Sequence, residues 1–377
     1  MEGPRPVNKS DVESLINLTD KVFWKGLVSK YPQLFNEDNF ENLRVFSDSG
    51  QIVSHVGFIE RKATILGSQI MVACIGAVAT LPEYRGKGLA TQLMEDSLNK
   101  MLSDGVDIVL VSGGRGLYKR HGCTGVGRFY KLVLKSHDIT FLPSESIEMY
   151  TLKISDIPAA MELYEVEPVR FLRPREDYEY FLQSHWAMNK RAELFIIERK
   201  KLPVAYVVLR FFEPAGENEN KASIAEFAGD RIAVLSAIKQ LFQSYRLSEI
   251  ELVFQEKDNE MKVYLSDVKM EIVPFGGTLR VLNFKQLMER LMPYFSARLG
   301  DKQAKQLVFN VKQGTDPAGL DTTFEISLGN ESVSINGYAE IARLIFGSHD
   351  REFRPAPSHF ISRIFPLPAL WYGLNYV

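Results

Sequence analysis

The sequence predicts an α/β (α+β) protein in which two mixed sheets flanked by helices follow each other and a smaller α+β segment ends the chain. Three observations support this prediction. Residues 70–102 read as an apolar strand, a glycine-rich turn and an amphipathic helix. A similar order of strand, turn, helix and strand recurs at residues 224–254. After Gly276-Gly277 the pattern changes to a helix followed by short alternating strands.

Length, composition and charge exclude several classes of protein. The chain has 377 residues, 45% of them hydrophobic, which suggests two or three domains. The net charge of −2 gives no reason to expect nucleic acid as a partner. Cys74 and Cys123 form neither a disulfide framework nor part of a metal-ligand cluster, so no metal is expected. Without a signal peptide or a membrane-spanning stretch, the chain is expected to be cytoplasmic and without a membrane partner.

The first predicted domain, residues 1–140, begins with a helix and continues through a strand meander. Ser10 and Glu13 are expected to form a capping box for a helix that runs from Asp11 into the high twenties. The other predicted elements of this domain are the strands Leu43–Ser47, Ile52–Glu60 and Ile70–Val78, a helix that buries Leu89, Leu93, Met94, Leu98, Met101 and Leu102, and the strands Ile108–Val111 and Arg128–Leu134.

The second predicted domain, residues 141–275, repeats the order of the first. Its predicted elements are a helix that starts near Ser155, a hairpin of Leu194–Ile197 and Val204–Phe212, a helix over Ile232–Tyr245 and a strand over Ile250–Phe254. The turn before the helix, Gly229-Asp230, has neither an arginine nor a pair of glycines. Because Asp230 would repel a phosphate, no second phosphate site is expected there.

The third predicted domain, residues 276–377, is the smallest. Its predicted elements are a helix over Phe284–Phe295, a strand over Leu307–Val311, a hairpin that turns at Gly329-Asn330, and a helix over Tyr338–Phe346 closed by Gly347. Trp371 and Tyr372 are unusual for a disordered tail and indicate that the chain end docks against the protein.

Residues 78–90 form the motif with the clearest chemistry. A glycine-rich turn between a strand and a helix directs several backbone N–H groups at one point near the positive end of the helix dipole, where a phosphate binds. Arg85 and Lys87 add positive charge. The turn has neither the Gly-Lys-Ser/Thr ending of the nucleoside triphosphate loop nor the spacing of the dinucleotide fingerprint.

The segment Arg85-Gly86-Lys87-Gly88-Leu89-Ala90 resembles the Arg/Gln-x-x-Gly-x-Gly/Ala pyrophosphate loop of the GNAT acetyltransferase superfamily. The whole order of domains resembles the enhanced intracellular survival protein family, in which a GNAT domain, a degenerate GNAT domain and a domain similar to sterol carrier proteins follow each other. The resemblance implies acetyl-CoA as acyl donor and a homo-oligomer, a hexamer in that family. The cofactor-binding residues that it implies are Val78, Ala79, Thr80, Arg85, Gly86, Lys87, Gly88, Leu89 and Ala90.

The resemblance also implies the groups that transfer protons. Tyr118, in the segment Tyr118-Lys119-Arg120-His121-Gly122, matches the Tyr-x-Arg-x-Gly context of the family's general acid. The family's general base is the carboxylate at the C-terminus, which the third domain brings to the active site, and the matching residue is Val377. The family has an aromatic residue at this terminal position, whereas this chain has valine.

Two histidines compete with Val377 as the general base. His121 lies three residues after Tyr118, and His55 lies in a predicted strand. Histidine suits the role because its ordinary pKa is near neutral.

The predicted function is transfer of an acetyl group from acetyl-CoA to a primary amine, such as an aminoglycoside, a polyamine or a lysine-containing acceptor. The amine would attack the thioester directly in a ternary complex, because no nucleophile and base pair is present in the sequence. Two alternatives remain open: a non-catalytic acyl-CoA-binding sensor or scaffold, and an apolar-ligand carrier based on the third domain.

Overall fold

The computed structural model describes residues 1–137, 139–213, 220–316, 319–350 and 358–377. The chain divides into two compact units. The first unit contains Met1–Gly127, Pro274–Ala369 and Val377. The second unit contains Arg128–Val273 and Leu370–Tyr376.

Most elements predicted for residues 1–127 are present. They are β1 (Glu2–Pro6), α1 (Val12–Val22), α2 (Leu27–Lys30), β2 (Leu43–Asp48), β3 (Gln51–Ile65), β4 (Ser68–Thr80), α3 (Leu89–Ser103), β5 (Ile108–Val111) and α4 (Gly116–Arg120). The predicted bounds of β5 are confirmed. The first predicted helix is instead two helices: α1 ends at Val22, and α2 begins at Leu27 after Gly26, whose φ is 85°. Leu102, predicted to be buried on α3, is instead 46% exposed.

The cap of the first helix lies two residues before the predicted position. Asn8 Oδ1 accepts a hydrogen bond from the backbone of Ser10 at 2.9 Å. The backbone N–H of Asn8 in turn donates to Asp11 Oδ2 at 3.0 Å. The reciprocal pair is therefore Asn8 with Asp11, and the predicted pair of Ser10 with Glu13 is wrong.

Residues 128–273 contain the second predicted strand and helix repeat. The elements are β6 (Phe129–Lys135), β7 (Glu148–Thr151), α5 (Ile157–Glu165), β8 (Val169–Phe171), α6 (Arg175–Ser184), β9 (Trp186–Ala187), β10 (Lys190–Arg199), β11 (Leu202–Phe211), β12 (Lys221–Gly229), α7 (Arg231–Ser244), β13 (Glu249–Gln255), α8 (Asn259–Tyr264) and β14 (Glu271–Val273).

Residues 274–377 form a smaller α+β segment. Its elements are β15 (Thr278–Val281), α9 (Phe284–Arg290), α10 (Met292–Leu299), α11 (Asp301–Ala304), β16 (Leu307–Lys312), β17 (Thr323–Leu328), β18 (Glu331–Asn336), α12 (Tyr338–Phe346) and α13 (His359–Ile364). The predicted bounds of α12 are confirmed. The single helix predicted over Phe284–Phe295 is two helices, because Pro293 lacks a backbone donor and favours the start of α10.

In the first unit, the strands β1 to β5 follow each other in the order β1-β2-β3-β4-β5, and β15 lies beside β5. The pairs are antiparallel except β4 with β5, which is parallel. The helices α1 and α3 pack against β3 and β4. A separate antiparallel sheet has the order β16-β17-β18.

In the second unit, the sheet has the order β14-β6-β13-β12-β11-β10-β7, and β12 and β13 are its parallel pair. Alternate residues of β11 face two apolar clusters. Val207 belongs to the cluster around α7, whereas Tyr206 belongs to the cluster around α5 and α6. The prediction of mixed sheets flanked by helices is therefore confirmed.

The two sheets do not follow the order of the chain. β6 comes after β5 and α4 in the sequence, yet it pairs with β13 and β14 in the second sheet. β15 comes after the second sheet's strands, yet it pairs with β5. The division into domains at 1–140, 141–275 and 276–377 stays a prediction. Within the described ranges, no helix is long and apolar enough to cross a membrane.

Candidate active site

A bulge in β4 opens the sheet of the first unit. The parallel pairing of β4 with β5 ends at Ile75 and Val111, whereas β4 continues to Thr80. Ala77 has a positive φ of 51°, and the register between β3 and β4 shifts at this point. Three of the predicted cofactor-binding residues, Val78, Ala79 and Thr80, lie in the part of β4 beyond its pairing with β5. Here β4 can offer backbone groups to a ligand.

The turn after β4 has the geometry of an anion site. Gly86 and Gly88 have φ values of 78° and 77°, which glycine adopts without steric cost. Gly88 precedes Leu89 and Ala90, the first residues of α3, and the first turn of α3 contains no acidic residue. A Cβ atom added at Gly86 would meet no atom within 4 Å. The positive end of the α3 dipole is therefore open to a phosphate.

Cationic side chains surround this turn. Arg85 Nε donates to the carbonyl of Thr80 at 3.2 Å. Lys87 Nζ lies 4.3 Å from the ring centroid of Tyr84. Arg120 joins them from α4, because it lines the same cavity as Arg85. The sequence left two roles open for Arg120, a solvated loop charge or a contact to the cofactor's phosphates, and the structure shows its side chain in the cavity at the turn.

A cavity of about 340 Å³ lies at the turn. Its lining residues are Thr80, Tyr84, Arg85, Gly86, Gly88, Leu89, Ala90, Thr91, Leu117 and Arg120. The cavity therefore brings together six of the nine predicted cofactor residues. Val78, Ala79 and Lys87 are not in its lining among the described residues. No group of histidine, cysteine and acidic residues that could hold a metal ion is found in the described part of the chain.

The two predicted catalytic residues approach the same short segment at the end of β5. The Oγ atom of Ser112 donates to a carboxylate oxygen of Val377 at 3.1 Å. Tyr118, on α4 and 6% exposed, is close to the next residue: a Cβ atom added at Gly113 would lie 3.4 Å from its ring. Tyr118 is thus a neighbour of Gly113, and the chain terminus is a neighbour of Ser112.

Gly76 makes room for the chain terminus. A Cβ atom added at this position would lie 2.3 Å from the carboxyl carbon of Val377. Val377 itself is only 5% exposed. Its carboxylate therefore lies where β4 and β5 stop pairing. Sequence reasoning did not identify Gly76 or Ser112, because their importance depends on a residue at the far end of the chain.

His55 is buried and supports the bulge. Its Nδ1 lies 2.8 Å from the carbonyl oxygen of Ala77, so Nδ1 carries the proton and donates it. Burial lowers the pKa of the imidazole to about 4, and the hydrogen bond to Ala77 opposes this shift without reversing it. The side chain is fully buried and stays neutral at neutral pH. These properties disfavour His55 as the general base.

His121 lies in the wall of another cavity. Its Nδ1 is 2.8 Å from the carbonyl oxygen of Leu117. It lines a cavity of about 610 Å³, whereas it is not in the lining of the cavity at the glycine turn. Cys123 is nearby, but burial raises the pKa of its thiol to about 12, so it is not a thiolate at neutral pH.

Comparisons with known proteins agree with this geometry. The family model described as "Acetyltransferase (GNAT) domain" matches residues 4–126. The Escherichia coli protein "Uncharacterized N-acetyltransferase YhbS" is 26% identical over 119 residues, which are 31% of this chain and 68% of that protein. Residues 4–126 are a GNAT acetyltransferase domain. The chain thus carries an acetyltransferase domain, and the GNAT fold uses acetyl-CoA as co-substrate.

Two solved structures have the same fold over most of the chain. A GCN5-related N-acetyltransferase from Anabaena variabilis has a TM-score of 0.65 at 14% identity and covers 91% of this chain and 89% of its own. Eis1 from Mycobacterium abscessus has a TM-score of 0.65 at 12% identity and covers 99% of both chains. At these identities the likeness concerns the fold alone.

The burial of His55 predicts a pH dependence of stability. Because its pKa is about 4 in the folded chain and 6.5 ordinarily, the unfolded chain binds more protons between these values. Its contribution to the free energy of unfolding should rise by about 3 kcal/mol as the pH rises through this window, and be lost as the pH falls. Urea unfolding of the wild type and of His55→Asn from pH 4 to 7 measures this difference.

Glu60 also changes the stability with pH, so the pH profile of the wild type must be compared with that of His55→Asn. Burial raises the pKa of its carboxyl to about 7, so the contribution of Glu60 falls over part of the same pH window. This contribution is common to both chains and cancels in their difference. Parallel pH profiles for the wild type and His55→Asn would contradict the role given to His55.

Proposed function

We propose that the protein transfers the acetyl group of acetyl-CoA to a primary amine by direct attack in a ternary complex. The observation that carries this proposal is the position of the Val377 carboxylate, which lies against Gly76 and Ser112 where β4 and β5 stop pairing. The glycine turn comes directly after β4 in the chain and belongs to the same unit. The proposed base, Val377, and the proposed cofactor turn at Gly86 and Gly88 thus both lie near the point where β4 and β5 stop pairing. This arrangement supports acyl transfer.

The cofactor's pyrophosphate binds at the N-terminus of α3. Backbone N–H groups of Gly86 to Ala90 donate to its oxygens, and Arg85 and Arg120, which both line the cavity, supply positive charge. The acyl arm follows the unpaired edge of β4 at Val78, Ala79 and Thr80. Backbone N–H groups there stabilise the oxyanion that develops on the thioester carbonyl.

Two groups of the chain move the protons. The amine nitrogen attacks the thioester carbonyl carbon, and its proton passes to the carboxylate of Val377, directly or through one water. The carbon–sulfur bond then breaks, and Tyr118 gives its hydroxyl proton to the thiolate that leaves. The products are an N-acetylated amine and coenzyme A with a free thiol.

The protein is of the enhanced intracellular survival type. It has a catalytic domain at 1–140, a degenerate GNAT-like domain at 141–275 that binds no cofactor, and a sterol-carrier-like domain at 276–377. The fold similarity to Eis1 over 99% of both chains supports this assignment. Its acceptors are then aminoglycosides, polyamines or lysine-containing molecules, and it acts as a homo-oligomer.

Thiol release from acetyl-CoA in the presence of polyamines, aminoglycosides and lysine peptides tests this function. An enzyme releases thiol steadily and only with an acceptor, whereas a sensor binds acetyl-CoA without turnover and a carrier of apolar ligands does neither. Gly86→Val should raise the Kd for acetyl-CoA at least tenfold, because a branched side chain hinders the approach of a phosphate to the turn.

Gly67→Val is the matched control for the glycine turn. Gly67 also has a positive φ, 87°, and an open surrounding, but it lies in the turn between β3 and β4. Backbone strain is therefore common to both variants. Equal acetyl-CoA affinities in the two variants would contradict the proposed cofactor site.

Replacement of Tyr118 tests the general acid. Tyr118→Phe removes only the hydroxyl, so kcat should fall about 100-fold or more while the Kd for acetyl-CoA stays within about twofold. Stopped-flow thiol release and calorimetric binding measure the two quantities. Tyr245→Phe, which removes a hydroxyl that donates to Glu193 in the second unit, is the control and should leave kcat unchanged. Wild-type kcat in Tyr118→Phe would remove this residue as the acid.

Replacement of Gly76 tests the terminal carboxylate. The new methyl group of Gly76→Ala would overlap the carboxyl of Val377, so the carboxylate must move. A shift of about 1 Å should lower kcat about 100-fold without a matching loss of acetyl-CoA affinity. Gly125→Ala is the control, because its methyl group would lie 3.5 Å from the nearest atom, an ordinary contact. Unchanged kcat in Gly76→Ala would exclude Val377 as the base.

A further inference from the structure

The second unit contains a strand opening like the one in the first. The parallel pairing of β12 with β13 ends at Ile224 and Leu252, while β12 continues to Gly229. The register between β11 and β12 shifts at Ala225, so this strand also has a bulge just after its parallel pairing ends. In the first unit the same combination of bulge and lost pairing forms the candidate active site. The second opening has the geometry of a second acyl-arm cleft.

The C-terminal tail fills this second opening. Trp371 Nε1 donates a hydrogen bond of 2.7 Å to the carbonyl of Ala225, and Ala225 is the bulged residue of β12. Its ring lies 5.1 Å from that of Phe129. Three residues further on, the backbone N–H of Leu374 donates to Glu226 at 3.2 Å. The backbone edge that would hold a cofactor arm is therefore occupied by residues of the same chain.

The anion end of this opening is closed by a carboxylate of the protein. Asp230 caps α7 by accepting a hydrogen bond from the backbone of Ala233 at 2.9 Å. Its other oxygen pairs with Arg199 at 3.0 Å. The position that a pyrophosphate would need at the helix N-terminus is thus taken, which supports the absence of a second cofactor site.

A buried ion pair holds the tail in place. Arg173, whose side chain is fully buried, donates to both carboxylate oxygens of Glu226 at 2.9 and 2.8 Å. It also donates from Nη2 and Nε to the side-chain oxygen of Asn375, at 2.9 and 3.1 Å. The amide nitrogen of Asn375 donates to Asp177 at 3.3 Å. Because each charged group has partners, the cluster favours one position of Asn375.

Gly373 lets the tail reach this ion pair. Its φ is 51°, and a Cβ atom there would lie 1.7 Å from Glu226 Oε2, so a larger residue would move the tail or the glutamate. Val377 follows Asn375 by two residues, which at most span about 7 Å. A fixed Asn375 therefore limits where the carboxylate of Val377 can lie.

We propose that the second unit has converted its cofactor opening into a dock for residues 370–376, and that Arg173, Glu226 and Asn375 are positioning residues for the terminal carboxylate. The inference rests on the proposed function, in which that carboxylate is the base. The dock makes a flexible chain end precise enough to take part in catalysis. Loss of the dock lowers kcat, but the base remains the carboxylate of Val377.

Three forms of the full-length chain separate the two claims: Asn375→Ala, Trp371→Phe, and the wild-type sequence ending in a carboxamide made by protein ligation. Asn375→Ala should lower kcat about 100-fold, with the KM for acetyl-CoA within about twofold. Trp371→Phe loses one hydrogen bond and should lower kcat about fivefold. Both should keep the acidic limb of the pH profile of kcat, because the carboxylate is still present. The carboxamide form should lose both that limb and turnover.

Trp186→Phe is the matched control in the second unit and should keep wild-type kcat. Urea unfolding midpoints show whether each variant is folded. If Asn375→Ala does not fold, Trp371→Phe still tests the dock, because it keeps an aromatic ring at position 371. If both tail variants keep wild-type kcat while the carboxamide form is inactive, the proposed dock is wrong. The proposed role of Val377 as base would then still hold. An active carboxamide form would instead overturn the base. Loss of the acidic limb in Asn375→Ala would also contradict a purely positional role.

Discussion

The bulge at Ala77 in β4 is the constraint on which the candidate site depends. All four residues of β5 pair with β4, so the bulged part of β4 beyond Ile75 has no strand partner on the β5 side and keeps backbone groups there for a ligand. The bulge is stabilised by His55, whose imidazole donates to the carbonyl of Ala77 and lies 5.9 Å from the ring of Phe35. A neutral imidazole can do this without the cost of a buried charge. The hydrogen bond from the neutral imidazole of His55 to Ala77 thus supports the bulge.

The same opening occurs twice in the chain, and local residues decide how each is used. In the first unit, Gly86 and Gly88 supply a turn with positive φ values, and no carboxylate occupies the start of α3. In the second unit, a single glycine precedes Asp230, and this carboxylate caps the helix that follows. The proposed phosphate site and the capped helix α7 therefore differ in the residue before the helix, which is Gly88 in the first unit and Asp230 in the second.

Sequence patterns predicted the helices, strands and turns that are determined by residues close together in the chain. The bounds of β5 and α12 follow from short apolar runs and from a closing glycine, and the turn at Gly86 and Gly88 follows from its composition. Strand partners are not encoded locally, because periodicity identifies the buried face of a strand and not its neighbour. The pairing of β6 with β13 and of β15 with β5 was therefore not predicted.

The residues of the proposed site and of the proposed dock were missed for the same reason, because their contacts are made by residues far away in the sequence. Gly76 and Ser112 are unremarkable within their own strands and gain importance only from contact with Val377. Arg173 and Glu226 lie far apart in the sequence, and neither belongs to a recognisable motif. A pattern can identify a residue whose neighbours in sequence share its role. It cannot identify one whose partner is supplied by the fold.

The terminal valine is explained by how the tail is anchored. An aromatic side chain at the last position would anchor the carboxylate by its own burial, whereas this chain places its aromatic anchor earlier, at Trp371. Asn375 adds a hydrogen-bonded attachment two residues before the end. With these anchors on the preceding residues, the last side chain does not need to be aromatic, and Val377 is buried at 5% exposure.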